Sequence, residues 1–208
     1  YRDAQERATT IKGVAPSIVI AFTITAQKIQ EKIAQENAKA LRETWRILRV
    51  ISFLHPDGLD RAFLAHLRPS RKDTHKWLRS WVEDKSSTIG HTRAEKAAQC
   101  LSAYGILMGG QGKYRIDPTL QEIMRWRIKE KQLTSYIQDQ ALQLLETMEQ
   151  QSPTQAASLD CEMAAHCRTL MAHVQSDPKK RTRLLRLISQ IDHQAYLRLP
   201  YIPSKEHL

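Results

Sequence analysis

Arg115 and Asp117 are the residues whose types and position best fit a ligand-binding role in this chain. They lie between a glycine-containing turn at 109–112 and a predicted helix that begins at Pro118. Aspartate before a helix accepts hydrogen bonds from the first turn, and proline suits the first helical position, so Asp117 is a predicted N-cap. Arg115 alternates with apolar residues on either side, which is the pattern of a half-buried strand.

A second group with chemical potential lies on one predicted helix, and its members are Cys161, His166, Cys167 and His173. Zinc is usually held by four ligands from more than one element, and this spacing fits neither a finger nor a ribbon. The chain also has no phosphate-binding loop, no nucleophile elbow and no row of aspartates. We therefore expect no metal site, no catalytic residue and no cofactor in this chain, and we do not expect it to be an enzyme by itself.

The composition indicates a basic, mainly helical protein with a modest core. The 208 residues carry a net charge of +10, with 41% hydrophobic and 26% charged residues. No apolar run reaches the length of a bilayer span and no secretory signal is present, so we expect a cytoplasmic protein with no membrane contact. Three cysteines without a paired spacing are expected to stay reduced.

Apolar periodicity predicts a series of helices interrupted by one short β-hairpin. The first long helix is expected to share one apolar face among Ile18, Phe22, Thr25 and Ile29. A later helix is expected to turn inward Tyr136, Ala141, Leu144, Leu145 and Met148. The hairpin strands are predicted at 106–108 and 113–116, around the glycine-containing turn. The predicted helices begin at Pro16 and Pro118 and span about 38–54, 59–67, 94–104, 132–149, 159–174 and 181–199. This order predicts a winged-helix domain followed by a helical array.

Three segments resemble the NB-ARC family of STAND regulatory ATPases, which includes the NLR-type receptors. "LRVISFLHPDGLDRAFL" and "YRIDPTLQEIMRWRI" are similar to the winged-helix part of the family members that are followed by TPR repeats, and "CRTLMAHV" is similar to the segment that leads into those repeats. The resemblance implies three parts: the tail of a preceding helical subdomain (1–16), a winged-helix domain (17–130), and a helical segment leading to TPR-type repeats (131–208). The fold class is therefore mainly α, with a small β wing and a TPR-like start.

The resemblance also implies a function. The chain would be a regulatory and coupling module of a signal-transduction ATPase, and a full-length parent would bind and hydrolyse ATP. Its partners would be an upstream nucleotide-binding domain and downstream repeats of the same chain, with homo-oligomerisation on activation.

The family places a nucleotide-sensing histidine where this chain has Asp117. A carboxylate would repel a phosphate. Two readings follow: either Asp117 is only a helix cap and the nucleotide switch is relaxed or lost, or Arg115 contacts the phosphate instead.

Winged-helix DNA binding is the alternative function. Such domains place their third helix in the major groove, and here that helix carries few basic residues. The basic residues cluster elsewhere, and nucleic-acid binding is less favoured than solvated helix faces. The clusters are Arg68, Arg71, Lys72, Lys76 and Arg79; Arg125, Arg127, Lys129 and Lys131; and Lys179, Lys180, Arg181, Arg183 and Arg186.

Overall fold

The computed structural model describes Ile11 and residues 14–36, 39–57, 59–60, 93–110, 113–151 and 157–197. Within these residues the chain forms seven helices and three short strands, so the predicted mainly helical fold with a small sheet is confirmed. The elements are α1 (Pro16–Glu36), α2 (Lys39–Ile51), β1 (Leu59–Asp60), α3 (Arg93–Ala103), β2 (Leu107–Gly110), β3 (Lys113–Ile116), α4 (Pro118–Glu130), α5 (Thr134–Gln151), α6 (Ala157–His173) and α7 (Pro178–Leu197).

The predicted hairpin is present as β2 and β3, which pair antiparallel with Leu107 opposite Ile116. A third strand, β1, pairs antiparallel with the other edge of β3, giving the order β1-β3-β2. The helix predicted at 59–67 is therefore wrong at its start, where Leu59 and Asp60 are extended, and 61–67 lies outside the described residues. Leu59 pairs with Tyr114 across the sheet, and its side chain is fully buried in the core.

One apolar core runs from α1 through α7. Helix α5 contacts α2, α4, α6 and α7, so it lies at the centre of the packing. Two inward assignments are wrong: Ile18 is 41% exposed and Tyr136 is 48% exposed. In each case the next residue along the chain, Val19 or Ile137, is the buried one. Phe22 and Ile29 on α1 and the inward residues predicted after Tyr136 on α5 are buried, so each error is confined to one position in the first turn of its helix.

Helix ends follow from local chemistry. Helix α3 ends in a Schellman motif in which Gly105 has a positive φ of 67° and the Ile106 N–H donates to the Leu101 carbonyl at 2.9 Å.

Among the described residues, no helix is both long enough and apolar enough to cross a membrane.

Helix α4 ends in the same motif, but with Gln132 at the left-handed position, where its φ is 56°. A side chain there is strained and glycine is not, so Gln132→Gly should raise the free energy of unfolding by about 0.5–1 kcal/mol. Urea denaturation measures this change. Lys131→Gly is the matched control, because Lys131 has a φ of −85° and its replacement should bring no gain. Equal effects of the two changes would contradict the prediction.

Helix α7 begins with a cap formed by Asp177, whose carboxylate accepts the Lys179 and Lys180 N–H groups at 3.1 Å each. The Lys180 N–H and then the Lys180 charge lower the pKa of Asp177 below its usual 3.8. A lowered folded-state pKa gives stability that is present above about pH 4 and is lost as the pH falls through the folded value.

Asp177→Asn tests this pH dependence, because asparagine keeps the cap but does not titrate. The stability difference between wild type and Asp177→Asn should shrink as the pH falls from 7 to about 3. Urea denaturation at both pH values measures it. Asp177→Ala is the comparison, since it removes the cap at both pH values. A difference that stays constant with pH would contradict the prediction.

Candidate functional site

The predicted site residues lie at the junction of β3 and α4. Asp117 is the N-cap of α4: its Oδ1 accepts the Thr119 N–H at 2.7 Å, and Pro118 is the first helical residue. Arg115 lies on β3 opposite Met108, with an exposed side chain. The cap predicted for Asp117 is therefore present, while a phosphate contact by Arg115 stays a prediction.

The same helix contacts the end of α2 with two further side chains. The buried Gln121 amide donates to the Ile51 and Leu54 carbonyls, both at 2.9 Å. Arg125 donates from Nη1 to the Ser52 carbonyl at 2.6 Å. These carbonyls belong to the last turn of α2 and the residues after it, where the regular helical hydrogen bonds end. The Ile51 carbonyl also accepts the Leu54 N–H at 3.1 Å. Helix α4 thus caps α2 from the side and fixes the loop at 52–57.

Helix α6 also contacts the 52–57 loop, at the peptide group between Leu54 and His55. The N–H of His55 donates to Nδ1 of His166 at 3.0 Å, and His166 is fully buried. Because Nδ1 accepts this bond, it carries no proton. The carbonyl of the same Leu54–His55 peptide group is the one that accepts from Gln121. Both polar atoms of a single peptide group are therefore bound by side chains from two helices.

A third contact joins the loop to the sheet, since the Ile116 N–H donates to the Pro56 carbonyl at 3.0 Å. The Phe53 ring meets the His173 ring edge to face, with centroids 5.6 Å apart. The 52–57 loop thus contacts β3, α4 and α6 within six residues. A change in the position of any of these elements would disturb the others through the loop.

A cavity of about 350 Å³ lies beside the loop, between α4, α5 and the end of α6. Arg125 and His173 face into it from opposite helices. Burial lowers the pKa of Arg125, which Glu122 partly offsets. Burial and then the charge of Arg125 lower the pKa of His173, so this imidazole is neutral at pH 7. The cavity therefore combines a partly desolvated cation with a neutral imidazole.

The described members of the cysteine and histidine group, for which no metal site was expected, contact other residues of the chain. Cys167 is buried, and burial raises its pKa to about 12, which keeps it a thiol rather than a thiolate ligand. His166 binds the His55 backbone, and the His173 carbonyl accepts from Gln138 at 2.8 Å. No group of metal-ligating side chains is found within the described ranges. The side chain of Cys161 lies outside them.

Part of the third basic cluster has an internal role. Lys180 is buried and its Nζ donates to the carbonyl and hydroxyl oxygens of Ser135 at 2.9 and 2.8 Å. Arg183 forms a bidentate pair with Glu146. Both cations join α7 to α5, but only Lys180 is buried, so the expectation of a solvated face is wrong for Lys180, while Arg183 is exposed. The first basic cluster, from Arg68 to Arg79, lies outside the described residues.

The residues that fix the loop were not identified as a site from the sequence. The partners of Gln121 and His55 lie 67 and 111 residues away along the chain, so no local pattern joins them. A glutamine among apolar residues on an inward helix face was the available signal, because buried polar groups need partners.

Comparisons with known proteins found no match among family models, curated proteins or solved structures. The contacts of the chain's own residues are therefore the basis for assigning a function. Among these contacts, the two-sided binding of the Leu54–His55 peptide group is the feature that links the hairpin-containing part of the chain to the helices that follow it.

Proposed function

We propose that this chain is a regulatory and coupling module of a STAND-type, NB-ARC-like signalling ATPase. It would link the nucleotide state of an upstream domain to a downstream repeat sensor. The observation that carries the proposal is the Leu54–His55 peptide group, which Gln121 of α4 and His166 of α6 hold from opposite sides. Such a contact passes a displacement of either helix to the other, as a coupling element must.

The proposal includes a winged-helix domain, and the order of the elements supports it. A helix (α2) precedes a short strand, a further helix (α3) precedes the hairpin, and a helix (α4) follows it. The three strands lie antiparallel in the order β1-β3-β2. In this reading the turn between β2 and β3 is the wing.

The proposal also includes the start of a TPR-type array in 131–208. Helices α5, α6 and α7 each contact the other two, and α5 contacts α2 and α4 as well. A partner bound to downstream repeats would displace α6 or α7 relative to α4. The hydrogen bonds to the 52–57 loop would then break or shift, giving a two-state element biased from both ends.

The test uses the full-length protein that the gene encodes. It is expected to contain a phosphate-binding loop upstream of Tyr1 and to purify with bound ADP. Hydrogen exchange of the amides at 52–57 should be faster with a non-hydrolysable ATP analogue than with ADP. A gene that encodes no such loop upstream, or equal exchange in both nucleotide states, would overturn the proposal.

Winged-helix DNA binding gives a different result in the same system. Helix α3 carries two basic residues, Arg93 and Lys96, and the rest of its sequence is small, apolar or acidic apart from Gln99, which disfavours a groove-reading role. Fluorescence anisotropy with duplex DNA would separate the two functions. The coupling module predicts at most weak binding that is lost as salt rises, because the net charge is +10. Tight binding to one defined site that persists at high salt would favour the transcription regulator.

A further inference from the structure

The cavity beside the 52–57 loop has the size and position of a small-molecule site. Its volume of about 350 Å³ lies within the range of ligand pockets. One wall is a single face of α4, formed by residues 122, 125, 126 and 129 at helical spacing. Thr134 and Gln138 of α5 and His173 at the end of α6 form the opposite wall. A bound molecule would therefore contact α4 on one side and α5 and α6 on the other.

The charges that face the cavity favour an anion. Arg125 and Lys129 each contribute a positive charge, Glu122 contributes one negative charge, and His173 is neutral. Within the described part of the chain, the Arg125 guanidinium donates to a backbone carbonyl rather than to a carboxylate. The charge of Glu122 raises the pKa of Arg125 and so offsets part of the effect of burial, but the two side chains form no ion pair there. A partly buried guanidinium without a carboxylate partner is a strong site for a planar anionic group.

The apolar walls set the rest of the ligand. The rings of Phe53 and Trp126 and the side chain of Ile11 line the same cavity. Phe53 is buried and is fixed by its contact with the His173 ring. Aromatic rings beside a cation suit a ligand with a flat, apolar body and one charged end.

We propose that this cavity binds a small aromatic monoanion, with its charged group at Arg125 and Lys129 and its ring against Phe53 and Trp126. A ligand of this kind bridges α4 to α5 and α6, so it stabilises their observed arrangement by mass action. The binding does not depend on the proposed function, because it follows from the cavity alone.

Benzoate is the probe, with benzyl alcohol as the neutral analogue of the same shape and inorganic phosphate as an anion without a ring. We expect the Trp126 indole N–H signal in protein NMR to shift with benzoate, with a Kd of about 1–10 mM. Benzyl alcohol and phosphate should each bind at least about threefold more weakly. The pKa of His173, followed by its ring proton, should rise when benzoate is bound, because an anion favours the imidazolium.

Lys129→Gln and Lys131→Gln form a matched pair, since both lysines are exposed and lie near the end of α4, but Lys129 alone of the two lines this cavity. Lys129→Gln should weaken benzoate binding about two- to fivefold, while Lys131→Gln should leave it unchanged. The titrations are run at about 0.15 M salt, which screens the general positive charge. Equal affinity for benzoate and benzyl alcohol, or equal effects of the two lysine changes, would overturn the proposal. No shift at Trp126 at any benzoate concentration would also overturn it.

Discussion

Replacing Gln121 by leucine is expected to lower the free energy of unfolding by about 2–4 kcal/mol. The Gln121 side chain is buried, and its amide donates to the carbonyls of Ile51 and Leu54. Leucine fills a similar volume but leaves the buried Leu54 carbonyl without a donor and the Ile51 carbonyl with only the Leu54 N–H. The orphaned carbonyl costs about 1–3 kcal/mol and the second lost hydrogen bond costs about 0.5–1.5 kcal/mol more, which together outweigh the gain from a more apolar side chain. Chemical denaturation followed by circular dichroism measures the loss.

Gln190→Leu is the matched control, because it is the same substitution at an exposed position of α7. Its effect should stay within about 0.5 kcal/mol. Hydrogen exchange should also show faster exchange at 52–57 in Gln121→Leu and not in the control. If Gln121→Leu proves as stable as the wild type, the Gln121 contacts do not fix the loop.

Leu145→Ala is expected to cost about 2–5 kcal/mol, the largest loss from a single substitution proposed for this chain. Leu145 is fully buried on α5, the helix that contacts α2, α4, α6 and α7. Truncation removes buried methyl groups and leaves a cavity in the core between the hairpin-containing part of the chain (α1 to α4) and the helices that follow it (α5 to α7). Protection from hydrogen exchange should therefore fall in α2 and α4 as well as in α6 and α7.

Leu185→Ala provides the comparison for this change, since Leu185 on α7 is 51% exposed. The same truncation there should cost no more than about 0.5 kcal/mol. Loss of protection confined to α5, α6 and α7 after Leu145→Ala would show that the two parts unfold separately. That result would remove the physical basis for coupling between them.

Local features of the fold were predictable from the sequence. The cap at Asp117, the helix start at Pro16 and the hairpin after Gly105 each depend on residues within one or two turns of each other. Such features follow from the preferences of aspartate, proline and glycine at helix ends and turns. The second strand lies at 113–116 as predicted. The first begins at Leu107 rather than Ile106 and continues to Gly110, so Gly109 and Gly110 pair with β3 instead of forming the predicted turn.

Features that depend on distant partners were missed. Leu59 reads as the start of an apolar helix, yet it is extended because it pairs with Tyr114, which is far along the chain. The wrong inward assignment of Tyr136 has a similar origin, since contacts of α5 with four other helices decide which residue of its first turn is buried. The cavity also joins residues that the sequence placed in separate groups, with Arg125 and Lys129 in a basic cluster and His173 in a cysteine and histidine group.

The coupling of α4 to α6 through the Leu54–His55 peptide group is tested most directly by a double-mutant cycle. The free energy of unfolding is measured for Gln121→Leu, for His166→Phe and for the two combined. If the Leu54–His55 peptide group links α4 to α6, losing one of its two hydrogen bonds frees the group to move, and losing the second then costs less. The loss of unfolding free energy in the double mutant should be about 0.5–2 kcal/mol smaller than the sum of the losses in the two single mutants. Gln121→Leu combined with Lys180→Met, which shares no partner with it, should be additive within about 0.5 kcal/mol. Additivity of Gln121→Leu with His166→Phe would contradict the claim that this peptide group couples the two parts of the chain.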